Sequence, residues 1–187
     1  MSELTEVRLF ENRFSGYVPP TLGRLRALQL LNVAHNKLEA NENKGWEFIT
    51  SLANCSQLRR LVLGKNSFGG QLPGSIVNLS TTLQQLYLVD NRVPGSIPTN
   101  IGNLVGLEVL AIVNTSIYGV IIESIGKLEN MIELSLYNNS LSGLIPPSLG
   151  NLSQLNRLDA YYSKLEGPIP ASPGELKNLF VLDLSRN

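Results

Sequence analysis

Cysteine and histidine are nearly missing from this 187-residue chain, which holds one of each, Cys55 and His35. A single cysteine excludes an internal disulfide framework and any multi-cysteine metal site. One histidine leaves Ser-His-Asp chemistry and histidine-based metal centres almost nothing to build from. Net charge is lacking as well, because fifteen basic residues cancel fifteen acidic ones. A nucleic-acid binder carries a basic excess or stripe, so no nucleic-acid partner is expected. No apolar run approaches the roughly 18 residues that would cross a bilayer. Glu3, Glu6, Arg8 and Glu11 interrupt the first twenty residues, which therefore hold no apolar signal-peptide core. The motifs G-x-S-x-G, H-E-x-x-H and G-x-x-x-x-G-K-[ST] are absent; Gly126-Lys127 comes nearest to the last, but Leu128 follows it. The expectation is a chain that is not an enzyme and needs no cofactor.

What the chain has is one phrase written many times. "KNSFGGQLPGSIVNLSTTL", "DNRVPGSIPTNIGNLVGL" and "NNSLSGLIPPSLGNLSQL" align on Leu83, Leu107 and Leu155, the leucines that close them. Eight units begin at Leu4, Leu28, Leu58, Leu83, Leu107, Met131, Leu155 and, in part, Leu179, with spacings of 24, 30, 25, 24, 24, 24 and 24. Each opens as L-x-x-L-x-L-x-x-N-x-L, the leucine-rich-repeat pattern, which places one short strand per coil. The second half reads L-x-G-x-I-P-x-x-I/L-G-N-L, where glycine permits a turn and proline fixes φ on the outside of the coil. No single coil can bury its own apolar edge, so the coils must stack. The predicted fold is an α/β repeat solenoid: a curved leucine-rich-repeat coil with a parallel β-sheet on its concave face. Residues 1–187 are read as one such domain without caps, whose bare ends would favour self-association.

The ninth position of the strand motif is asparagine at Asn12, Asn36, Asn66, Asn91, Asn139 and Asn187. Its two donors and two acceptor lone pairs suit it to bridging backbone groups of neighbouring coils. Thr115 and Ser163 stand there in two repeats, which predicts locally weaker coils. Other departures are Pro94, Ile122 in place of a proline, Ala160 in place of a core leucine, and Pro173 in place of an apolar residue. The repeat at Leu28 is six residues longer and lacks the Gly-x-Ile-Pro element. There Trp46, Ile49, Leu52 and Ala53 fall at helical spacing, predicting a short outer helix that packs Trp46 against the core. Cys55 reads as a packed thiol and His35 as a surface residue.

Repetition of L-x-G-x-I-P resembles the plant-specific class of extracellular leucine-rich repeats. The long repeat running into "SLANCSQLRRLVLGKNSFGGQLPGSIVNLSTTLQQLYL" is similar to the ectodomain interior of plant immune receptor kinases. That resemblance implies an internal piece of a longer extracellular, plasma-membrane-anchored receptor that binds a peptide or protein and engages a co-receptor. Alternatives are a stand-alone inhibitor of microbial enzymes, which the lone cysteine disfavours, and a truncated receptor remnant without a ligand. Five sequons, at Asn54, Asn78, Asn114, Asn138 and Asn151, agree with a secreted glycoprotein; composition alone would give about two or three.

Binding is expected on the concave face, where the third, fifth, seventh and eighth motif positions form columns. Repeats four to seven place Tyr87, Val89, Val109, Val113, Tyr137, Tyr161 and Tyr162 there, rimmed by Glu133, Arg157 and Asp159. Exposed tyrosine-rich patches with a polar rim mark interaction sites. Asp159 and Asp183, adjacent in one column, read as solvated charges. Strands about 4.8 Å apart give eight of them a span of roughly 34 Å, enough for an extended peptide of about ten residues.

Overall fold

A computed structural model describes residues 3–42, 44–171, 174 and 176–187. Its spine is an eight-stranded parallel sheet built from Glu6–Arg8, Leu30–Asn32, Arg60–Val62, Gln85–Val89, Val109–Val113, Glu133–Ser135, Arg157–Asp159 and Val181–Asp183, in sequence order. The register joins equal motif positions: Val7 pairs with Leu31, then Leu61, Leu86, Leu110, Leu134, Leu158 and Leu182. Identical spacing lets every coil repeat the same bonds to its neighbour, so the apolar fourth and sixth positions stack into one continuous core.

The eighth motif position turns each strand off. Glu11, His35, Lys65, Asp90, Asn114, Asn138, Tyr162 and Arg186 all have φ between 49° and 57°. This left-handed residue swings the chain so that the ninth side chain enters the coil. Asparagine there forms a ladder. The Asn36 amide donates to Leu9 O at 2.8 Å in the preceding coil and to Val33 O at 3.0 Å in its own, and its Oδ1 accepts from Phe14 N. Asn66 repeats the pattern on Val33 O and Leu63 O, and Asn91 reaches back to Leu63 O. The two substituted rungs differ. The Thr115 hydroxyl donates forward to Asn139 Oδ1 at 2.9 Å, whereas the Ser163 hydroxyl is buried and has no partner.

Beyond the ladder, the outer flank carries two short parallel sheets, Ser15–Gly16 with Lys37–Ala40 and Ser67–Phe68, and Tyr118–Val120 with Ser140–Gly143 and Lys164–Leu165. Pro94 sits between them, and the ladder shrinks there to single bridges at Gly69–Arg92 and Gly95–Ile117. A proline has no N–H to offer such a ladder. Ile122, by contrast, adopts φ −85° and ψ 146°, close to the φ −69° and ψ 134° of Pro146 at the equivalent place, and the following 3-10 turn Glu123–Lys127 still forms. Proline is preferred at that site but not required. Pro173 lies outside the described residues.

The long repeat contains the predicted helix, Glu47–Leu52, with Phe48, Ile49 and Leu52 buried. The apolar stripe differs in one member: Ala53 is exposed at the helix end, and Phe48 takes its place inside. Trp46 precedes the helix, donates its indole N–H to Gly69 O at 3.0 Å and packs on Phe48 and Phe68 with ring centroids 6.0 and 5.4 Å away. The helix presses so closely on the preceding coil that a Cβ on Gly23 would lie 2.3 Å from Ser51 O. Only glycine fits that contact. Cys55 is buried beside Leu22 O, and desolvation raises its thiol pKa.

Candidate functional site

Two hollows among the described residues stand out. The larger, about 680 Å³, lies on the outer flank beside the long repeat, among Lys44, Trp46, Glu47, Thr50, Leu72 and Pro98. Two of its polar groups are engaged locally: Thr50 Oγ1 bonds Ser75 Oγ at 2.9 Å, and Glu47 Oε2 accepts from Gly45 N at 2.6 Å. The second, about 470 Å³, lies on the concave sheet and gathers Tyr87, Val89, Val113, Glu133, Tyr137, Arg157, Asp159 and Tyr161. These eight come from four successive coils, and only the stacking register brings them together.

Size differences within one column carve the groove. Ala111 and Ser135 in the fifth column line its floor between the larger Tyr87 and Asp159. Neither was expected as a site residue, although two small residues flanked by large ones in one column are a readable sign of a depression. On one wall the Tyr137 and Tyr161 rings stack at 4.4 Å with an angle of 9° between planes. At the opposite end Arg60, also unforeseen, places its guanidinium 5.5 Å from the Tyr87 ring centroid. Desolvation raises the pKa of both Tyr87 and Tyr161, opposed at Tyr87 by Arg60 and reinforced at Tyr161 by the neighbouring Tyr137. Both phenols stay protonated at neutral pH and can donate.

Of the polar members, Asp159 is not where a rim would put it, whereas Arg157 is exposed and Glu133 half-buried. Asp159 is 1% exposed and forms part of the floor, so it is not a solvated charge. Its Oδ2 accepts from Arg157 Nε at 2.5 Å and from Ser135 Oγ at 3.4 Å, while Oδ1 has no donor. Arg157 of its own coil and Ser135 of the preceding one both bond it, which the column alone did not reveal. The hydrogen bond to Asp159 raises the pKa of Arg157. Asp183 is half-buried; the Ser185 side chain and backbone N–H hold its carboxyl below the usual range. Val113, expected on the exposed face, is buried at 4% exposure. Val109 and Tyr162 stay outside the groove. Val109 is half-buried at the start of its strand, and Tyr162 occupies a left-handed position with its ring edge-on to Tyr161 at 5.9 Å and beneath Arg186.

All five sequon asparagines are exposed. Asn54, Asn78 and Asn151 share one register on the flank that leads into the strands. Asn114 and Asn138 occupy the left-handed eighth column at the groove's edge, where the Asn114 amide donates to Asp90 Oδ1 at 2.8 Å. No group of three or more metal-ligating side chains gathers among the described residues, and no helix there is long and apolar enough to cross a membrane.

The Leucine Rich Repeat family matches residues 57–79, 82–104 and 130–152. An LRR receptor-like serine/threonine-protein kinase, EFR of Arabidopsis thaliana, is 50% identical over 88 residues, 47% of this chain but 8% of that protein's length. Among solved structures, a TDR receptor superposes over 100% of this chain and 31% of its own with a TM-score of 0.91 at 30% identity. The Arabidopsis receptor kinase HAESA, solved with the peptide hormone IDA and the co-receptor SERK1, matches over 98% of this chain and 34% of its own with a TM-score of 0.81 at 33% identity.

Proposed function

The chain is a leucine-rich-repeat solenoid similar to plant receptor kinases in sequence and to plant receptor ectodomains in structure, and from that premise we propose that it is a ligand-binding module for an extended peptide or protein segment. The observation that carries this reading is the concave groove, lined from four coils, where a stacked tyrosine pair meets a buried carboxylate with an open acceptor. The similar receptor kinase HAESA was solved in complex with a peptide hormone, IDA. The groove residues, with Tyr137 and Tyr161 as anchors, are the contact surface. Within a longer receptor kinase the module would face the cell exterior, and a co-receptor would join once ligand is bound. The chain contributes recognition and no catalytic step. Glycans on Asn54, Asn78 and Asn151 would coat the flank that leads into the strands, away from the groove.

The test is direct. Isothermal titration of a peptide found to bind the chain should show at least a tenfold weaker Kd for Tyr137→Ala and Tyr161→Ala, since buried aromatic anchors are worth about 2 kcal/mol or more. Equal affinity in both variants would place the binding surface elsewhere.

A further inference from the structure

The groove's charge and its unfilled acceptor say what chemistry its occupant brings. We infer that the floor around Asp159 takes a cationic group, the guanidinium of arginine or the ammonium of lysine, from the bound peptide; this rests on the concave groove being the peptide site. Glu133, Asp159 and Asp183 place three carboxylates at this end of the sheet against two guanidiniums, Arg157 on Asp159 and Arg186 over Tyr162, leaving a surplus of one negative charge. Two of the three are already served by local donors. Glu133 Oε1 accepts from Ser135 Oγ at 3.1 Å, and Asp183 Oδ1 accepts from Ser185 N at 3.0 Å. Asp159 is the exception. Arg157 serves its Oδ2 together with the Ser135 hydroxyl, whose one proton is shared with Glu133 Oε1, and Oδ1 has no donor although the residue is 1% exposed. A buried carboxylate oxygen without a donor is costly, and a charged N–H donor is its strongest complement.

The surroundings favour a cation over a neutral donor. Tyr137 and Tyr161 stack beside Asp159, and the negative faces of such rings attract guanidinium and ammonium groups. The same preference is visible twice on this sheet, where Arg60 lies over Tyr87 and Arg186 over Tyr162. Arg157 is held at Nε and its side chain is 46% exposed, so it has room to move as a second cation enters.

A displayed library of random dodecapeptides, selected on the whole 187-residue chain, tests the inference. Enriched peptides should share an arginine or lysine at one position. Replacing that arginine by citrulline, which keeps the shape and removes the charge, should weaken binding about tenfold, as should Asp159→Asn in the protein. Both changes together should cost little more than either alone. Should Asp159→Asn fail to fold, as judged by near-UV circular dichroism, the citrulline peptide on the unaltered chain decides. Peptides that lose affinity on Tyr137→Ala but ignore citrulline, or that are enriched in acidic residues, overturn the cationic inference and leave the groove reading standing. No enrichment, or peptides indifferent to both Tyr137→Ala and Tyr161→Ala, overturns both.

Discussion

Ser163 is the weakest rung of the asparagine ladder, and replacing it with asparagine should stabilise the protein. In intact rungs one amide serves two coils: Asn66 donates to Val33 O at 3.0 Å and Leu63 O at 3.2 Å and accepts from Leu38 N at 3.0 Å. The corresponding carbonyls for residue 163 are Leu136 O and Ala160 O, which receive amides from Asn139 and Asn187 alone. Two new bonds at about 0.5–1.5 kcal/mol each, plus removal of an unpaired buried hydroxyl worth about 1–3 kcal/mol, favour the variant. Ordering the longer side chain costs about 1 kcal/mol. The net gain is about 3 kcal/mol, which for a domain of this size raises Tm by about 6–12 °C. Thermal unfolding followed by circular dichroism would measure it. Ser163→Ala, which removes the hydroxyl without adding bonds, should fall between wild type and Ser163→Asn. Thr115→Asn should raise Tm by less than Ser163→Asn, because Thr115 already bonds Asn139. A Tm for Ser163→Asn at or below that of wild type would refute the ladder argument.

Three further outcomes follow from the packing. Trp46→Ala removes the hub of the Trp46–Phe48–Phe68 cluster and the bond to Gly69 O, and should cost about 3–5 kcal/mol in denaturant unfolding. Lys65→Asn places a residue that tolerates left-handed backbone at φ 52°, keeps the bond from residue 65 N to Val89 O, and should gain about 0.5–1 kcal/mol in the same assay. The Cys55 thiol, buried with a raised pKa, should react with a thiol-specific disulfide reagent only as the protein unfolds; rapid labelling of the native chain would contradict its burial.

Much of this was legible in the chain itself. A spacing of 24 or 25 residues, broken once by 30, determined the parallel register, the stacked core and the inward asparagines, because a repeat that cannot bury its own edge has one way to pack. The tyrosine columns followed from the same arithmetic, and eight of the ten concave residues expected at the site do line one groove. Tertiary structure alone decided the rest. Asp159 sits in a column where Arg8 and Asn32 also stand, yet it is buried and bonded both to Arg157 in its own strand and to Ser135, 24 residues away in the preceding coil. The left-handed eighth position escaped notice because it is filled by glutamate, histidine, lysine, aspartate, asparagine, tyrosine and arginine, with no glycine to announce it. The turn imposes that conformation on whatever residue arrives. Phe48 displaces Ala53 because the six-residue helix is anchored at Trp46, which sets the face it turns inward. Periodicity dictates how coils stack; the local relief of the concave face, and with it the chemistry the groove can receive, depends on the size and charge of side chains that meet only after stacking.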